Sequence, residues 1–448
     1  MPVEVWYILA LLAVICVTFL LLKRPIYECM FYGYVLMIIL TGEFKNFFSY
    51  IGKTSTDTLF YAIIAFLVLA KILDATHAID SVVNIIVALL GRFRGGAAYT
   101  AVIGSTFMGA LSGSGAGNVA TTGTFTIPAM KRSGVPAHLA ANIESASSTM
   151  GNMIPPAGVI LTALACSNEF SGEEMSQSAF WFACWGVALW FILQRIITVF
   201  IFTRYYKVKP MAREDIPDLK ETFRAGWKNL LLPVIILLPF VLDYFFKAGF
   251  FTRRLGSGAG NMSSSLLLFT PGLAAIYALL VNRQALQKGE LARTLKNSVA
   301  GIVPVGATIF FAYCISNLFS ATNVGAGIGE FIKGWNLPVA AIAFIVPLIT
   351  AVLGMVFPGS AQTKIFGTTI IAVYAAAGGN PLLAAVMLPV ITGAMEGMTP
   401  PLALCMYTAM GIAGSKFKET TINCLIWIGV HYLLAVICLM GILPIMGI

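Results

Sequence analysis

The sequence predicts an all-α polytopic membrane protein with inverted structural repeats, and three observations support this fold class. The 448 residues are 58% hydrophobic and only 10% charged, whereas soluble globular domains carry about 25% charged residues. Long apolar segments recur along the whole chain, and several are interrupted by glycine or proline. Two stretches, one in each half, resemble each other without a gap. The composition excludes a soluble enzyme, a disordered chain, a collagen and a disulfide-rich scaffold.

The apolar segments have uneven lengths, which argues against a plain bundle of spanning helices. A helix needs about 20 apolar residues to cross the hydrocarbon core, and some segments are shorter than this. The segment 136–166 is longer but contains two prolines, Pro155-Pro156. We therefore expect two re-entrant helical hairpins and two broken transmembrane helices. The hairpins are predicted at 96–131 and 340–378, and the broken helices at 136–166 and 381–414.

The segments and the polar stretches between them divide the chain into five predicted parts. The polar loop that contains 207–227 separates the two halves. The predicted parts are N-terminal scaffold helices (1–56), a first inverted repeat (57–206), a cytoplasmic loop (207–227), further scaffold helices (228–298) and a second inverted repeat (299–448).

The basic residues indicate the orientation in the membrane. If the first hairpin returns to the cytoplasmic side and the second to the outside, about two-thirds of the 28 Lys and Arg residues fall on one side, as the positive-inside rule requires. The net charge of +9 therefore sets the topology rather than marking a nucleic-acid binder. Both termini are predicted to face the periplasm.

An internal repeat relates the two halves. Most of the identities fall at glycines, prolines and methionines, and glycine and proline are typical of turns and helix breaks. The aligned pairs include Gly109 with Gly354, Gly134 with Gly379, Pro136 with Pro381, Met150 with Met395, Met153 with Met398, and Pro155-Pro156 with Pro400-Pro401. Two halves inserted with opposite topology are typical of secondary transporters. The alternative is a chance match between two glycine-rich apolar stretches.

The tip of the first hairpin is a run of small residues that predicts a cation site. Ser112, Gly113 and Ser114 offer hydroxyl and carbonyl oxygens, which are suitable ligands for Na⁺. The helix that follows begins near Gly117–Asn118, and its amide groups can hold an anion, so Asn118 is a candidate for substrate binding. The run lacks the strand and the GK[ST] of a nucleotide loop and the GxSxG of a hydrolase. A glycine-rich packing contact between helices is the alternative interpretation.

The first broken helix supplies the remaining predicted ligands of that cation. Because Pro155 and Pro156 lack amide donors, we expect the carbonyls of Gly151 and Ile154 to lose their partners and, with Pro155, to face the hairpin tip. Asn152 lies in the same break and is a candidate for substrate binding.

The second half offers a twin of this site. The predicted second cation site consists of Gly354, Gly359, Glu396 and Thr399. Ser360 and Lys364 are the corresponding candidates for substrate binding.

Charged residues inside apolar segments are costly and are functional candidates by default. Three belong here, namely Glu144 before the first break, Lys364 and Glu396. Lys364 and Glu396 either form a structural pair, or Lys364 meets an anionic substrate, or Glu396 carries a proton. Lys71, Asp74 and Arg195 are expected to lie near the interface and to extend toward water.

The motif residues resemble a known family. SGSGAGNVATTGTFTIPAMKRSGVPAHLAANIESASSTMGNMIPP (112–156) is similar to the first-half signature of the large membrane (M) subunit of TRAP (tripartite ATP-independent periplasmic) transporters, and in particular of their TAXI branch. LGMVFPG (353–359) and MTPPLAL with GIAG (398–414) resemble the second-half signatures. The resemblance covers nearly the whole chain.

The resemblance implies a fold, a mechanism and partners. It implies an elevator-type secondary transporter of the ion-transporter superfamily in the bacterial inner membrane. It also implies a separate small four-helix membrane subunit, a periplasmic substrate-binding protein and symport of an organic acid with sodium. Carried over by position, the first sodium site falls on Ser112, Ser114, Gly151, Ile154 and Pro155, and the second lies around Gly354 and Thr399.

The predicted function is therefore sodium-coupled import of a small carboxylate, without enzymatic activity. The alternatives are coupling to protons and transport without a binding protein. A channel would need opposed half-helices with a short fixed filter motif, which the sequence lacks.

Overall fold

The computed structural model describes residues 2–112, 115–256, 258–283, 290–355, 358–400 and 403–448, and the regular structure in these ranges is helical. The first ten helices are α1 Val3–Cys16, α2 Ile26–Thr41, α3 Phe47–Ser55, α4 Thr58–Ala75, α5 Ala78–Leu90, α6 Gly96–Ser112, α7 Gly115–Arg132, α8 Ala137–Ser148, α9 Gly158–Ser171 and α10 Gln177–Tyr205. The others are α11 Leu219–Gly226, α12 Leu232–Phe246, α13 Thr252–Leu255, α14 Gly258–Val281, α15 Glu290–Ala321, α16 Val324–Lys333, α17 Val339–Leu353, α18 Gly359–Ala376, α19 Pro381–Leu388, α20 Leu404–Ala413 and α21 Phe417–Leu439.

Short 3₁₀ or π segments adjoin several of these helices. The 3₁₀ segments are Phe44–Asn46, Thr149–Asn152, Arg213–Asp215 and Trp227–Leu231, and the π segments are Val17–Leu21, Lys247–Phe251 and Pro389–Ala394. Two of them, Thr149–Asn152 and Pro389–Ala394, follow the helices that were predicted to break.

Few helices are long enough to cross a membrane alone. By length and composition, four candidates occur in the described part of the chain: Gln177–Tyr205, Arg213–Phe246, Ile302–Ala321 and Phe417–Leu439. A fifth is the pair Phe44–Ser55 and Thr58–Leu73, which is bent by 51°. Most other apolar helices have 10–17 residues, less than the 20 or so that a span requires.

The two halves show the same order of elements. In each half a long helix (α4 or α15) leads into a short amphipathic helix (α5 or α16). Two helices that pack against each other follow, α6 with α7 and α17 with α18, and then an interrupted helix, α8 to α9 and α19 to α20. The repeat detected in the sequence is therefore also a repeat of helices.

One close contact recurs at aligned positions. A Cβ atom placed on Gly109 would lie 2.6 Å from the Cα of Gly151. In the second half the aligned residues also meet, because a Cβ on Gly354 would lie 3.3 Å from the Cα of Glu396. The gap-free alignment therefore pairs residues that occupy the same place in each repeat.

The buried core surrounds both helix interruptions. One cluster joins residues of α2, α4, α9, α10, α15, α18 and α19, and a second lies between α7, α8, α20 and α21. Helix α10 packs on α6, α8 and α9, and α21 packs on α8 and α17. The interruptions are thus enclosed by helices on several sides.

Arg195 contradicts the expectation that it reaches toward water. Its side chain is fully buried. Its Nη2 lies 2.9 Å from Nδ1 of His431, and its Nε donates to the carbonyl of Ala146 at 3.2 Å. Nη1 donates to Gln194. The guanidinium is held inside because three acceptors on α8, α10 and α21 satisfy its donors.

Candidate functional site

The first interruption lies where the two prolines predict it. Helix α8 ends at Ser148, a 3₁₀ turn covers Thr149–Asn152, and α9 begins at Gly158. Pro155 and Pro156 have no amide hydrogen, so neither can continue the i→i−4 ladder. The peptide bond between them is cis. The chain therefore leaves the α-helical pattern between Ser148 and Gly158.

The second interruption is preceded by a π segment, and the chain stays helical as far as Glu396, four residues before Pro400. Helix α19 ends at Leu388 and passes into a π segment, Pro389–Ala394, and α20 begins only at Leu404. A π segment shifts the backbone register, and such segments occur frequently at functional sites. Pro389 at its start lacks an amide donor, which explains why the α-helical pattern ends there.

The two interruptions touch each other in a symmetric way. Asn152 Nδ2 donates to the carbonyl of Gly393 at 2.5 Å. On the other side, a Cβ on Gly397 would lie 2.6 Å from Cγ2 of Thr149. In the sequence alignment Asn152 corresponds to Gly397, and Thr149 corresponds to the residue after Gly393. Approximate two-fold symmetry therefore relates the interruptions at their contact.

A cavity of about 280 Å³ opens beside this contact. One wall combines both halves of the chain, with residues from the starts of α7 and α18 and from both interruptions. These residues include Gly115, Ala116, Asn152, Pro358, Ser360, Glu396 and Cys405. The opposite wall is mostly apolar and consists of residues from α2, α4 and α15, among them Ile63, Phe66, Val305 and Ile309. The volume suits a small organic molecule.

Two helix N-termini border the cavity. Helix α7 begins at Gly115 and α18 at Gly359, and the first amides of a helix carry partial positive charge. The amide of Gly359 donates to the Glu396 carboxylate. Glu396 is the charged residue among the lining residues. The site therefore already holds one carboxylate at a helix N-terminus.

Asn118 of α7 and Gly151 of the first interruption both lie close to Gly109 of α6. The Nδ2 of Asn118 donates to the carbonyl of Ser105 at 2.6 Å, and Nδ2 would lie 3.1 Å from a Cβ on Gly109. Asn118 is buried, and its Oδ1 has no hydrogen-bond partner among the described residues. An unpaired amide oxygen at this place is a suitable ligand for a cation.

The hairpin tip itself is described only in part. Gly113 and Ser114, two predicted cation ligands, lie outside the described residues. Ser112 is the last residue of α6, and its side chain also lies outside what the structure describes.

Ile154 and Pro155 differ from the expectation. Both line a second, mainly apolar cavity of about 220 Å³ that residues of α10 and α12 also line. The carbonyl of Ile154 accepts a hydrogen bond from the amide of Ala157 at 3.2 Å, so the prediction that it lacks a partner is wrong. The turn that follows the prolines supplies this donor.

The residues of the predicted second cation site lie near one another. Gly354 approaches Glu396, and Gly359 donates to Glu396. Thr399 is buried in the second interruption, where its hydroxyl donates to the carbonyl of Met395 at 3.0 Å.

Lys364 pairs with a residue that sequence analysis missed. Its Nζ lies 2.5 Å from Oε1 of Glu169 and 4.3 Å from the ring centre of Tyr313. Thr368 and Ser316 also donate to Glu169, at 2.9 and 3.1 Å. The structural pair with Glu396, one of the three predicted alternatives, is therefore wrong. No sequence signal links α9 to α18, because their contact is purely tertiary.

Comparison with known families decides the identity of this architecture. A profile described as "Tripartite ATP-independent periplasmic transporter, DctM component" matches residues 8–446. The chain belongs to this family. Residues 8–446 include both repeats and the helices between them, so the DctM profile spans every element that forms the cavity.

Curated DctM-family relatives are distant but align over most of the chain. The C4-dicarboxylate TRAP transporter large permease protein DctM of Vibrio cholerae is 24% identical over 84% of this chain and 82% of its own length. The 2,3-diketo-L-gulonate large permease protein YiaN of Escherichia coli is 22% identical over 84% and 83%. The isethionate permease protein DctMQ of Oleidesulfovibrio alaskensis is 22% identical over 84% of this chain and 55% of its own length.

Two solved transporter structures share the fold. MtrF of Neisseria gonorrhoeae superposes with a TM-score of 0.64 at 15% identity, over 90% of this chain and 83% of that one. YdaH of Alcanivorax borkumensis gives a TM-score of 0.58 at 16% identity, over 98% of both chains. At these identities the likeness concerns the fold alone.

Proposed function

We propose that this DctM-family chain is the transport subunit of a sodium-coupled importer of a small organic acid in the bacterial inner membrane. The observation that carries the proposal is the cavity, where two helix N-termini and both interruptions meet. A pocket of this kind at the interface between inverted repeats is typical of secondary transporters. The substrate enters with sodium by symport.

The chemistry of the cavity supports an anionic substrate. The start of α7 lies in the lining at Gly115 and Ala116, and the first amides of a helix carry partial positive charge. A carboxylate at this N-terminus gains charge-assisted hydrogen bonds. Ser360 and Asn152 add polar groups on the same wall. The names of the relatives, which include C4-dicarboxylate and 2,3-diketo-L-gulonate permeases, are consistent with this class of ligand.

Sodium binds behind the substrate at the first hairpin in this proposal. Its ligands are oxygens of Ser112, Gly113 and Ser114 at the tip, with the backbone carbonyl of Gly151 and the side-chain Oδ1 of Asn118. Five or six oxygens form a suitable shell for a hard cation. The second site, around Gly354, Gly359, Glu396 and Thr399, takes a second cation in the same manner.

The helix pairs α6–α7 and α17–α18 act as re-entrant hairpins, inserted from opposite sides of the membrane, in this proposal. Together with the two interrupted helices they form a body that slides against α2, α4 and α15, which form the apolar wall of the cavity. This elevator movement exposes the cavity to each side in turn. A small four-helix membrane subunit and a periplasmic binding protein complete the transporter, and both termini face the periplasm.

Uptake in proteoliposomes tests the proposal. The full chain, reconstituted with its membrane and binding-protein partners, is expected to accumulate radiolabelled succinate when an inward sodium gradient is applied. A potassium gradient of the same size serves as the control. A succinate flux that does not depend on the sodium gradient would contradict sodium coupling. Accumulation of succinate without the binding protein would contradict the tripartite arrangement.

Serine variants test the first cation site. Ser112→Ala and Ser114→Ala are each expected to raise the sodium concentration that gives half-maximal uptake, because each removes one oxygen ligand. Ser55→Ala is the matched control, since Ser55 is exposed and its hydroxyl bonds only to the carbonyl of Ile51. If all three variants need the same sodium concentration for half-maximal uptake, the assignment of the sodium site to the hairpin tip is wrong.

A further inference from the structure

Glu144 lies in a closed cage of hydroxyl groups that neither the cavity nor the cation sites use. The residue is fully buried in α8. Its Oε1 accepts from Ser105 at 2.7 Å, Thr122 at 2.6 Å and Ser148 at 3.1 Å. Its Oε2 accepts from Thr126 at 2.5 Å. Three helices, α6, α7 and α8, therefore converge on one carboxyl group.

No positive charge compensates this carboxyl among the described residues. Their ion pairs join Arg24 with Glu28, His77 with Asp80, Arg132 with Asp215, His138 with Glu419 and Lys364 with Glu169, and none includes Glu144. A buried carboxylate without a cation is unusual, since buried charges are normally paired. Among the described residues, four hydroxyl groups rather than a cation satisfy this carboxyl group.

Ionisable groups on the helices packed against α8 are engaged elsewhere. Arg195 of α10 bonds to Ala146, Gln194 and His431, and Lys131 of α7 donates to the carbonyl of Ala413. On α21, His431 meets the carbonyl of Val390, Cys424 donates to that of Met398, and Glu419 pairs with His138. The sulfur of Cys405, on α20, lies against Gly115 and Gly397. Arg132 of α7 pairs with Asp215.

The cage accommodates both charge states of Glu144 without moving heavy atoms. The Thr122 hydroxyl lies 2.8 Å from the carbonyl of Asn118, and the Thr126 hydroxyl lies 3.0 Å from that of Thr122. Each threonine can therefore donate either to the carboxylate or to its own helix. When Glu144 is protonated, it donates to a hydroxyl oxygen whose hydrogen has rotated to the carbonyl.

The cage also adjoins the proposed binding sites. Ser148 is the last residue of α8, directly before the first interruption, and Thr122 bonds to Asn118. A change in charge at Glu144 therefore alters the hydrogen bonds of Ser148 and Thr122. The second repeat has no counterpart, because Pro389 occupies the aligned position.

We propose that Glu144 is a proton-binding site of the transport cycle. The carboxylate takes up one proton from the periplasmic phase when the body faces outward and releases it to the cytoplasm when the body faces inward. One O–H bond forms and later breaks, and no other reactant is needed. The inference rests on the proposed transport function and adds a proton to its coupling ions.

Infrared difference spectroscopy on the purified full chain tests the site without any substrate. Between about pH 5 and about pH 9, which spans the range of strongly displaced carboxyl groups, wild type is expected to show a carboxylic C=O band that comes and goes with pH. Glu144→Gln removes this band, and Thr126→Val shifts its frequency because one hydrogen bond is lost. Glu173→Gln is the matched control, since Glu173 is exposed between α9 and α10. A band that is absent, that does not titrate, or that survives in Glu144→Gln would overturn the proposal.

Transport measurements then separate this inference from the proposed function. In proteoliposomes with equal sodium on both sides, an inward proton gradient is expected to raise succinate uptake severalfold in wild type and in Glu173→Gln, and not in Glu144→Gln. The same response in Glu144→Gln would refute the proton site. Absence of succinate transport in wild type would instead count against the proposed substrate, while the infrared result still decides the role of Glu144.

Discussion

Replacing Gly109 by alanine tests the contact on which the first site depends. The added Cβ would lie 2.6 Å from the Cα of Gly151 and 2.9 Å from its nitrogen. Both are backbone atoms, so no side-chain rotation relieves the overlap. The residue is helical within α6, and the clash therefore acts between α6 and the first interruption.

The size of the effect follows from these distances. Ordinary contacts of a Cβ begin at 3.4 Å, so the two backbones must separate by about 0.8 Å from the 2.6 Å found. Overpacking of this kind typically costs about 1–3 kcal/mol. The separation also moves Gly151 away from α6. We therefore expect a lower unfolding temperature and a weaker apparent affinity for sodium.

Gly411→Ala provides the control for this prediction. Gly411 lies in α20, and no atom comes within 4 Å of an added Cβ. Because alanine favours a helix over glycine by about 1 kcal/mol, this variant is expected to melt at or above the wild-type temperature. Thermal unfolding in detergent and sodium-dependent uptake are measured for both variants. If Gly109→Ala unfolds at the same temperature as Gly411→Ala, the close approach of α6 to the first interruption is refuted.

Three further predictions concern buried polar contacts. Lys364→Met leaves Glu169 without its cation and is expected to destabilise the fold by about 3 kcal/mol. Adding Glu169→Gln should restore much of the unfolding temperature. A double variant that unfolds at the same temperature as Lys364→Met would contradict the pair. His431→Phe removes the partner of Arg195 and of the carbonyl of Val390, and thermal unfolding is expected to show a loss of about 1–3 kcal/mol. Asn152→Ala removes a hydrogen bond between the interruptions, and we expect slower uptake with a loss of only about 1 kcal/mol in stability. An unaltered uptake rate would show that this bond is not needed for transport.

The helices and the first interruption were predictable because local features determine them. Helices α6 and α7 begin at Gly96 and end at Arg132, close to the predicted bounds 96–131, since glycine and the basic residues Lys131 and Arg132 mark these ends. Pro155-Pro156 located the first break for the same reason. The prolines Pro400-Pro401 also located the second break, because the chain stays helical through the π segment Pro389–Ala394 to Glu396 and leaves the helix at 397–400.

Partners of buried charges were not predictable in the same way. Lys364 and Glu169 are far apart in sequence, and only the packing of α9 on α18 brings them together. Arg195 was expected near water because a lone arginine in an apolar helix usually extends to the interface. Its acceptors come from α8 and α21, which the pattern along α10 cannot reveal. For the cavity, the sequence supplied Asn152, Ser360 and Glu396 but not the apolar wall opposite them.

The hydrogen bond from Asn152 to the carbonyl of Gly393 has a thermodynamic consequence. The bond ties the two interrupted segments, so a ligand that orders one segment reduces the entropy that the other has left to lose. Binding at the two sites is then cooperative, and the coupling is reciprocal. The factor by which sodium raises the affinity for the organic acid equals the factor by which the organic acid raises the affinity for sodium. Measuring both affinities with and without the other ligand, in wild type and in Asn152→Ala, gives the free energy that this one contact transmits.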